Sequence, residues 1–251
     1  MKNNHKPSIS VYSLSGCAGE ELVILENLPK FLPFVEVKSF GFAQSNNDPG
    51  PCDISFVEGT VSQPHDLERL KSIRANSRYL VAVGNCAVYG CVQKAGCKRY
   101  SPENAVKEIY GDMPIDVLPP AALSEHVEVD VKLSGCPING EQLLPVVASL
   151  LKDHLPYITS KPVCLECKLR ENGCVLIEKN LPCLGPITAG GCGALCPSFG
   201  AACYGCWGPC AEPQMEAMAL ILTEKGFELN EVLCRLTAFG APDYIFMRDK
   251  N

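Results

Sequence analysis

The stretch from Cys164 to Cys210 carries nine cysteines, Cys164, Cys167, Cys174, Cys183, Cys192, Cys196, Cys203, Cys206 and Cys210, set among prolines and glycines. Almost no apolar periodicity runs through it, so neither an amphipathic helix nor an alternating strand can be laid along its length. A segment with no apolar face to bury must be held by something else, and thiols offer disulfides, zinc or iron–sulfur clusters. Disulfides belong to oxidising compartments. The N-terminal MKNNHKPSISVYSL has neither an apolar signal-peptide core nor a twin-arginine pair, so the expected setting is a reducing cytoplasm in which the cysteines serve metal. Zinc favours paired C-x2-C knuckles with roughly 12 to 20 residues between pairs, whereas the spacings here are x2, x6, x8, x8, x3, x6, x2 and x3. Uneven spacing suits [4Fe–4S] cubanes, whose thiolates come from interleaved parts of a chain and often include a Cys-Pro pair such as Cys196-Pro197. Two cubanes use eight of the nine thiols, and the spare is assigned to Cys210 at the segment's edge.

The rest of the chain is long enough for one good core with a smaller appended domain: 251 residues, 47% of them hydrophobic. A net charge of -6 gives no basic footprint for nucleic acid, and no apolar run reaches membrane-spanning length.

From the start, SISVYSL at residues 8 to 14 alternates like a strand, and a helix follows from about Glu21 to Phe31 with Leu22, Leu25 and Leu28 on one face. Strands are expected at Val35–Phe40, Asp53–Val57, Tyr79–Val83 and Val127–Leu133. Helices are expected from Pro64 (Leu67, Leu70 and Ile73 inward), over SPENAVKEIYG with its serine cap and closing Gly111, and over NGEQLLPVVASLLKDHL. Strands alternating with helices predict an α/β fold with a doubly wound parallel sheet over residues 1 to about 160. Two short helices are expected after Cys210, at 213 to 225 and 228 to 238, with Met215, Met218 and Leu222 forming an inward stripe.

Open sheets of this kind gather ligands beyond the carboxyl ends of their strands. Cys17 follows the first strand, Cys86 lies in the loop GNCAVYG after YLVAV, and Cys136 lies in SGCP after VEVDVKL. Three cysteines in equivalent loops converge on one site, and Glu20, three residues after Cys17, offers a carboxylate where a fourth thiolate would stand.

SGCAGEELVIL, CDISFVEGTVSQP, VAVGNCAVYG, KLSGCPINGE, PVCLECKLRENGC, PCLGPITAGGCGALCPS and CYGCWGP follow in order the motifs of a known family. The sequence resembles, over residues 8 to 210, the small subunits of cytoplasmic [NiFe] hydrogenases, nearest the F420-reducing, methyl-viologen-reducing and NAD(P)-linked sulfhydrogenase types. The resemblance implies a flavodoxin-like domain over 1–160 with a proximal [4Fe–4S] cluster and a ferredoxin-like domain over 161–211 with medial and distal clusters, followed by C-terminal helices over 212–251. It implies an electron relay from the nickel–iron centre of a separate large subunit to a partner containing flavin and iron–sulfur clusters. Cys17, Cys86 and Cys136 match the family's proximal ligands. Cys164, Cys167, Cys174, Cys183, Cys192, Cys196, Cys203 and Cys206 match the other two sets, whose division spacing leaves open. Glu20 departs from the family's usual cysteine, with aspartate in some relatives, and is the expected fourth proximal ligand; Cys91, where relatives usually have glycine, competes for that place. An alternative reading is a hydrogenase-like electron-transfer module whose large subunit lacks nickel.

Other features receive plain structural readings. Cys52 and Cys234 look like core, Cys91 and Cys97 like buried thiols if unligated, Trp207 like packing, and Glu58 like a solvated strand-end carboxylate. His5, His65, His126 and His154 fall in polar loops or helix ends with no ligand spacing. Gly190 to Gly193 is no phosphate loop, and no flavin or nicotinamide fingerprint is present; hydride chemistry therefore falls to a partner.

Overall fold

The computed structural model describes residues 6–96 and 101–239. The chain divides into two compact units, Met1–Tyr157 and Ile158–Asn251.

The first unit is built on five strands, β1 (Ser8–Ser13), β2 (Glu36–Phe40), β3 (Cys52–Glu58), β4 (Ser77–Val83) and β5 (Val131–Leu133), all parallel in the order β2-β1-β3-β4-β5. That is the flavodoxin-like order, with its switch point between β1 and β3. Apolar runs buried on both faces make the central strands: Ile54, Phe56 and Val57 in β3, and Leu80, Val81 and Val83 in β4, have no exposed surface. The register aligns Ser13 with Glu58, Glu58 with Val83, and Val83 with Leu133, so four strands end in one row.

The connecting helices are α1 (Gly19–Asn27), α2 (Pro64–Ala75), α3 (Gly84–Tyr89), α4 (Cys91–Gly96), α5 (Pro102–Tyr110) and α6 (Leu143–Leu150). Leu70 and Ile73 of α2 are buried with Leu67 packed beside them, as the spacing predicts. The cap of α5 is the expected one: Ser101 accepts the Asn104 N–H at 3.2 Å, and Gly111 closes the helix at φ +67°.

Three local expectations are corrected. The buried face of α1 is Glu20, Glu21, Ile24 and Asn27, leading to Leu28, whereas Leu22 is 51% exposed. The N–H groups at the start of this helix turn toward Glu58, and that choice rotates Leu22 away. GNCAVYG, expected as a loop, is the helical turn α3, ended by Gly90 at φ +81°. β5 is three residues long because the Asp130 carboxylate takes the Leu80 N–H (2.7 Å) and the Arg74 guanidinium (2.5 Å), so a side chain replaces strand pairing just before it.

The second unit carries short helices, α7 (Val163–Leu169), α8 (Val175–Glu178) and α9 (Leu195–Ser198), where no regular element was expected, and then α10 (Met215–Glu224) and α11 (Leu229–Thr237). Long-range backbone bonds hold its loops: Val163 N–H to Thr188 O (2.8 Å), Ala189 N–H to Gly208 O (2.9 Å) and Cys210 N–H to Ile187 O (2.9 Å). Met215, Met218 and Leu222 pack with Val232 and Leu236 onto Leu184 and Ile187, so the predicted stripe is core. Cys234, expected as core, is exposed, because Val232 and Leu236 take the buried face of α11. No helix among the described residues is long and apolar enough to cross a membrane.

Candidate iron–sulfur sites

In the first unit the row of strand ends dictates the site. Cys17 stands four residues beyond Ser13, Cys86 three beyond Val83 and Cys136 three beyond Leu133, so three parallel strands deliver three thiols to one edge. Asn85, fully buried, fastens two of these loops together. Its side chain accepts the Gly135 N–H and its own N–H donates to the Gly135 carbonyl, both at 2.9 Å.

Glu58 organises the third loop. It is completely buried, not solvated as its strand-end position suggested, and accepts bonds from the Ser13 hydroxyl (2.8 Å) and the N–H groups of Ala18 (3.1 Å), Glu20 (3.2 Å) and Glu21 (3.4 Å). A carboxylate at the first turn of α1 is the favourable partner for that turn's unpaired N–H groups. Gly16 and Gly59 let the two strands' loops pass closely, since a Cβ on Gly16 would lie 3.0 Å from Glu58 Oε1 and one on Gly59 would lie 2.9 Å from the Leu14 carbonyl carbon.

The electrostatics follow from this crowding. Burial, then the charge of Glu58, raises the Glu20 carboxyl to about 8, and the same two causes, opposed by Arg69, raise Glu21 to about 7. At Cys17 a hydrogen bond from the Gly19 backbone pulls downward, but burial and the carboxylates of Glu20 and Glu58 outweigh it and the thiol is raised. Cys86 and Cys136 are shifted the other way, the latter to about 7, because the Cys91 thiol, with its one proton within hydrogen-bond reach of both, outweighs their burial. Cys17, Glu20, Cys86 and Cys136 thus lie in one network, with Glu58 and Cys91 as further members.

The second unit builds its sites from loops. α7 carries Cys164 and Cys167 one turn apart, Cys174 precedes α8, and Cys183 follows. Burial, then the neighbouring thiols of Cys183, Cys167 and Cys174, pushes Cys164 up to about 11, which places these four together. Gly185 leaves room between them: a Cβ there would lie 3.4 Å from Cys164 Sγ and 3.6 Å from Cys183 Sγ.

Cys192 lies before α9, Cys196 within it, and Cys203 and Cys206 on the loop after it. Cys203 is pushed up to about 12 by burial, against bonds from the Gly205 backbone and the Thr188 hydroxyl; Cys183 and Cys206 flank it. Its own N–H donates to Cys183 Sγ at 3.3 Å. Cys192 is raised by burial against the N–H groups of Leu195 and Ala194.

One residue escaped the sequence reading. Glu166, between the cysteines of α7, accepts the N–H groups of Gly191 (2.7 Å) and Ala194 (3.2 Å) and so ties the Cys192 loop to that helix. Cys210, expected at the segment's edge, is buried with Ala189 and Trp207 in a small cluster against which Cys192 and Cys206 pack. Cys97 and His5 lie outside the described residues; His65, in the first turn of α2, His126 and His154 are exposed. Among the described residues no three His, Cys, Asp or Glu side chains close on a point as ligands of a single ion do. Groups of thiols, several receiving backbone N–H bonds and one pair parted by a glycine, instead fit the donor set of thiolate-bound clusters.

The model of the family described as NADH ubiquinone oxidoreductase, 20 Kd subunit, matches residues 15–150. Sulfhydrogenase 2 subunit delta of Pyrococcus furiosus is 40% identical over 221 residues, 86% of this chain and 92% of that one. A subunit of the vhu F420-non-reducing hydrogenase of Methanococcus voltae is 30% identical over 237 residues, 81% of this chain and 82% of that one. Among solved structures, a chain of an NAD+-reducing [NiFe]-hydrogenase in its H2-reduced state superposes with a TM-score of 0.55 at 26% identity, over 61% of this chain and 96% of that one. The chain belongs to the 20 Kd subunit family of NADH ubiquinone oxidoreductase and, within it, to the small subunits of [NiFe] hydrogenases.

Proposed function

We propose that this chain is the electron-transferring small subunit of a cytoplasmic hydrogenase, holding three [4Fe–4S] clusters between the nickel–iron centre of a large subunit and a partner that contains flavin and iron–sulfur clusters. The observation that carries this reading is the strand register, which brings Cys17, Cys86 and Cys136 to one edge of the sheet. With Glu20 or Cys91 as fourth ligand, these residues would hold the cluster of the first unit. Cys164, Cys167, Cys174 and Cys183 would hold a second, a grouping supported by the neighbours of Cys164. Cys192, Cys196, Cys203 and Cys206 would hold the third. Bound there, such clusters take up and release electrons one at a time.

The chain's own contribution is to bury these sulfurs wholly or in part, all but the exposed Cys17, and to aim backbone N–H groups at several of them. Gly19 serves Cys17, Ala194 and Leu195 serve Cys192, and Gly205 serves Cys203. Donors directed at sulfur offset part of the cost of burying its negative charge and so set the potential at which an electron is accepted. The NAD+-reducing likeness supports a partner that carries out hydride chemistry on a nicotinamide, for which this chain has no fingerprint.

The test is anaerobic isolation of the complex. About twelve irons and about twelve labile sulfides per chain are expected, three cubanes of four, with nickel in the co-purifying large subunit and H2-dependent reduction of a dye. A colourless, iron-free chain would overturn the reading.

A further inference from the structure

Cys91 sits where a cysteine costs backbone strain. Gly90 and Cys91 adopt φ +81° and +44° in succession, a left-handed pair that folds the chain back on itself directly after α3. Glycine accepts such angles freely and cysteine does not. The reversal returns Cys91 to the site opened by Cys86, where it is 1% exposed. Gln93, two residues on, donates to the Ser15 carbonyl at 3.0 Å, which fixes the start of α4 against the loop that carries Cys17. The Cys91 thiol is in hydrogen-bond contact with both Cys86 and Cys136. It therefore touches two of the three cysteines brought in by the strand register, from a loop tied to the third.

Glu20 is placed differently. Its carboxyl is hydrogen-bonded to that of Glu58 and lies over Gly84, where a Cβ would run into it. Glu20 also lies beside Cys17 and Cys136, but as a carboxyl bonded to that of Glu58, whereas Cys91 meets the sulfurs of Cys86 and Cys136. Iron–sulfur clusters are held by thiolates, and a carboxylate is the harder donor.

We propose that Cys91 is the fourth protein ligand of the cluster in the first unit, with Cys17, Cys86 and Cys136, and that Glu20, seated on Glu58, borders this site without ligating iron. The inference rests on the three-cluster reading above and reverses the assignment that the sequence alone favours.

The experiment compares Cys91→Gly, Cys91→Ser and Glu20→Gln in the anaerobically isolated complex, by iron content and by electron paramagnetic resonance of the reduced clusters. Glycine suits the backbone at position 91, so its variant removes the thiol without straining the fold. Cys91→Gly is expected to lose about four of about twelve irons and one cluster signal. Cys91→Ser is expected to keep the iron and shift that same signal, because oxygen replaces sulfur on it, an effect that a packing role would not produce. Glu20→Gln is expected to keep iron and signals alike. Full iron and three unchanged signals in Cys91→Gly would overturn the proposal, as would loss of the cluster in Glu20→Gln alone. A wild-type complex with iron for only the second unit's clusters would instead defeat the three-cluster reading itself.

Discussion

The two units solve the same problem, holding thiols in a fixed group, from opposite starting points. In the first, a parallel sheet with a largely apolar core sets the strand ends in a row, and the cysteines are passengers on loops whose positions are already decided. In the second, the cysteines lie in short helices and loops with little apolar surface of their own: Val163 is the one buried residue of α7, Val175 of α8 and Pro197 of α9. There the sulfurs are much of what the segment has to pack, since Cys183 and Cys203 belong to the same buried group as Val163, Val175 and Ala194. A sheet can exist before its metal arrives, whereas a cysteine-rich loop segment depends on what its cysteines bind.

Removal of iron and sulfide should therefore separate the units most sharply. In hydrogen exchange of the chelated chain, amides of β1, β3 and β4 are expected to keep their protection, while those of α7, α8 and α9 become unprotected. Equal loss of protection in both units would break the contrast. A smaller effect is expected from the two organising carboxylates. Glu58→Ala leaves a half-buried hydroxyl and several N–H groups of the α1 entrance without their acceptor, and about 3 kcal/mol of stability should be lost, read by denaturant unfolding of the first unit. Glu166→Ala, which removes two bonds at a half-buried position, should cost about 1 kcal/mol in the metal-loaded chain. A reversed order would place the more demanding scaffold in the second unit.

The smallest effect is one of pH. The folded-state value of Glu21, about 7, lies above its ordinary 4.5, so the native state holds a proton that the unfolded chain has released. Stability from this group is full below about pH 4.5 and is lost as pH rises through about 7. Glu21→Gln should remove up to one proton's worth of slope, about 1.4 kcal/mol per pH unit, from the stability profile of the metal-free first unit across that window. An unchanged slope would mean that the carboxyl reaches water.

Much of this was legible in the residues, and for identifiable reasons. YLVAV reads as a central strand because strands covered on both faces are nearly continuous apolar runs, and CDISFVEG reads as a strand beside it. Cys17, Cys86 and Cys136 were found because each closely follows such a run. α1 was misread because its orientation is set by Glu58, a residue more than thirty positions away whose bonds to the N–H groups of Glu20 and Glu21 no local pattern announces. The same blindness made Glu58 look solvated. Cys91 ranks only as a competitor to Glu20 in the sequence because its neighbourhood does not reveal the left-handed turn that carries it back to Cys86. A glycine immediately before it was the available signal. In the second unit the absence of periodicity was real, yet four-residue and seven-residue helices fit inside it, too short to leave a repeat.

The row formed by Ser13, Glu58, Val83 and Leu133 has one more consequence. Because side chains alternate along a strand, deleting a single residue inside β3 or β4 would exchange inward for outward faces and displace the attached loop together with its thiol. The chain should thus accept many exchanges of one amino acid for another along these strands, yet hardly any change in their length. Its spacing, more than its chemistry, is what inheritance has to copy without error.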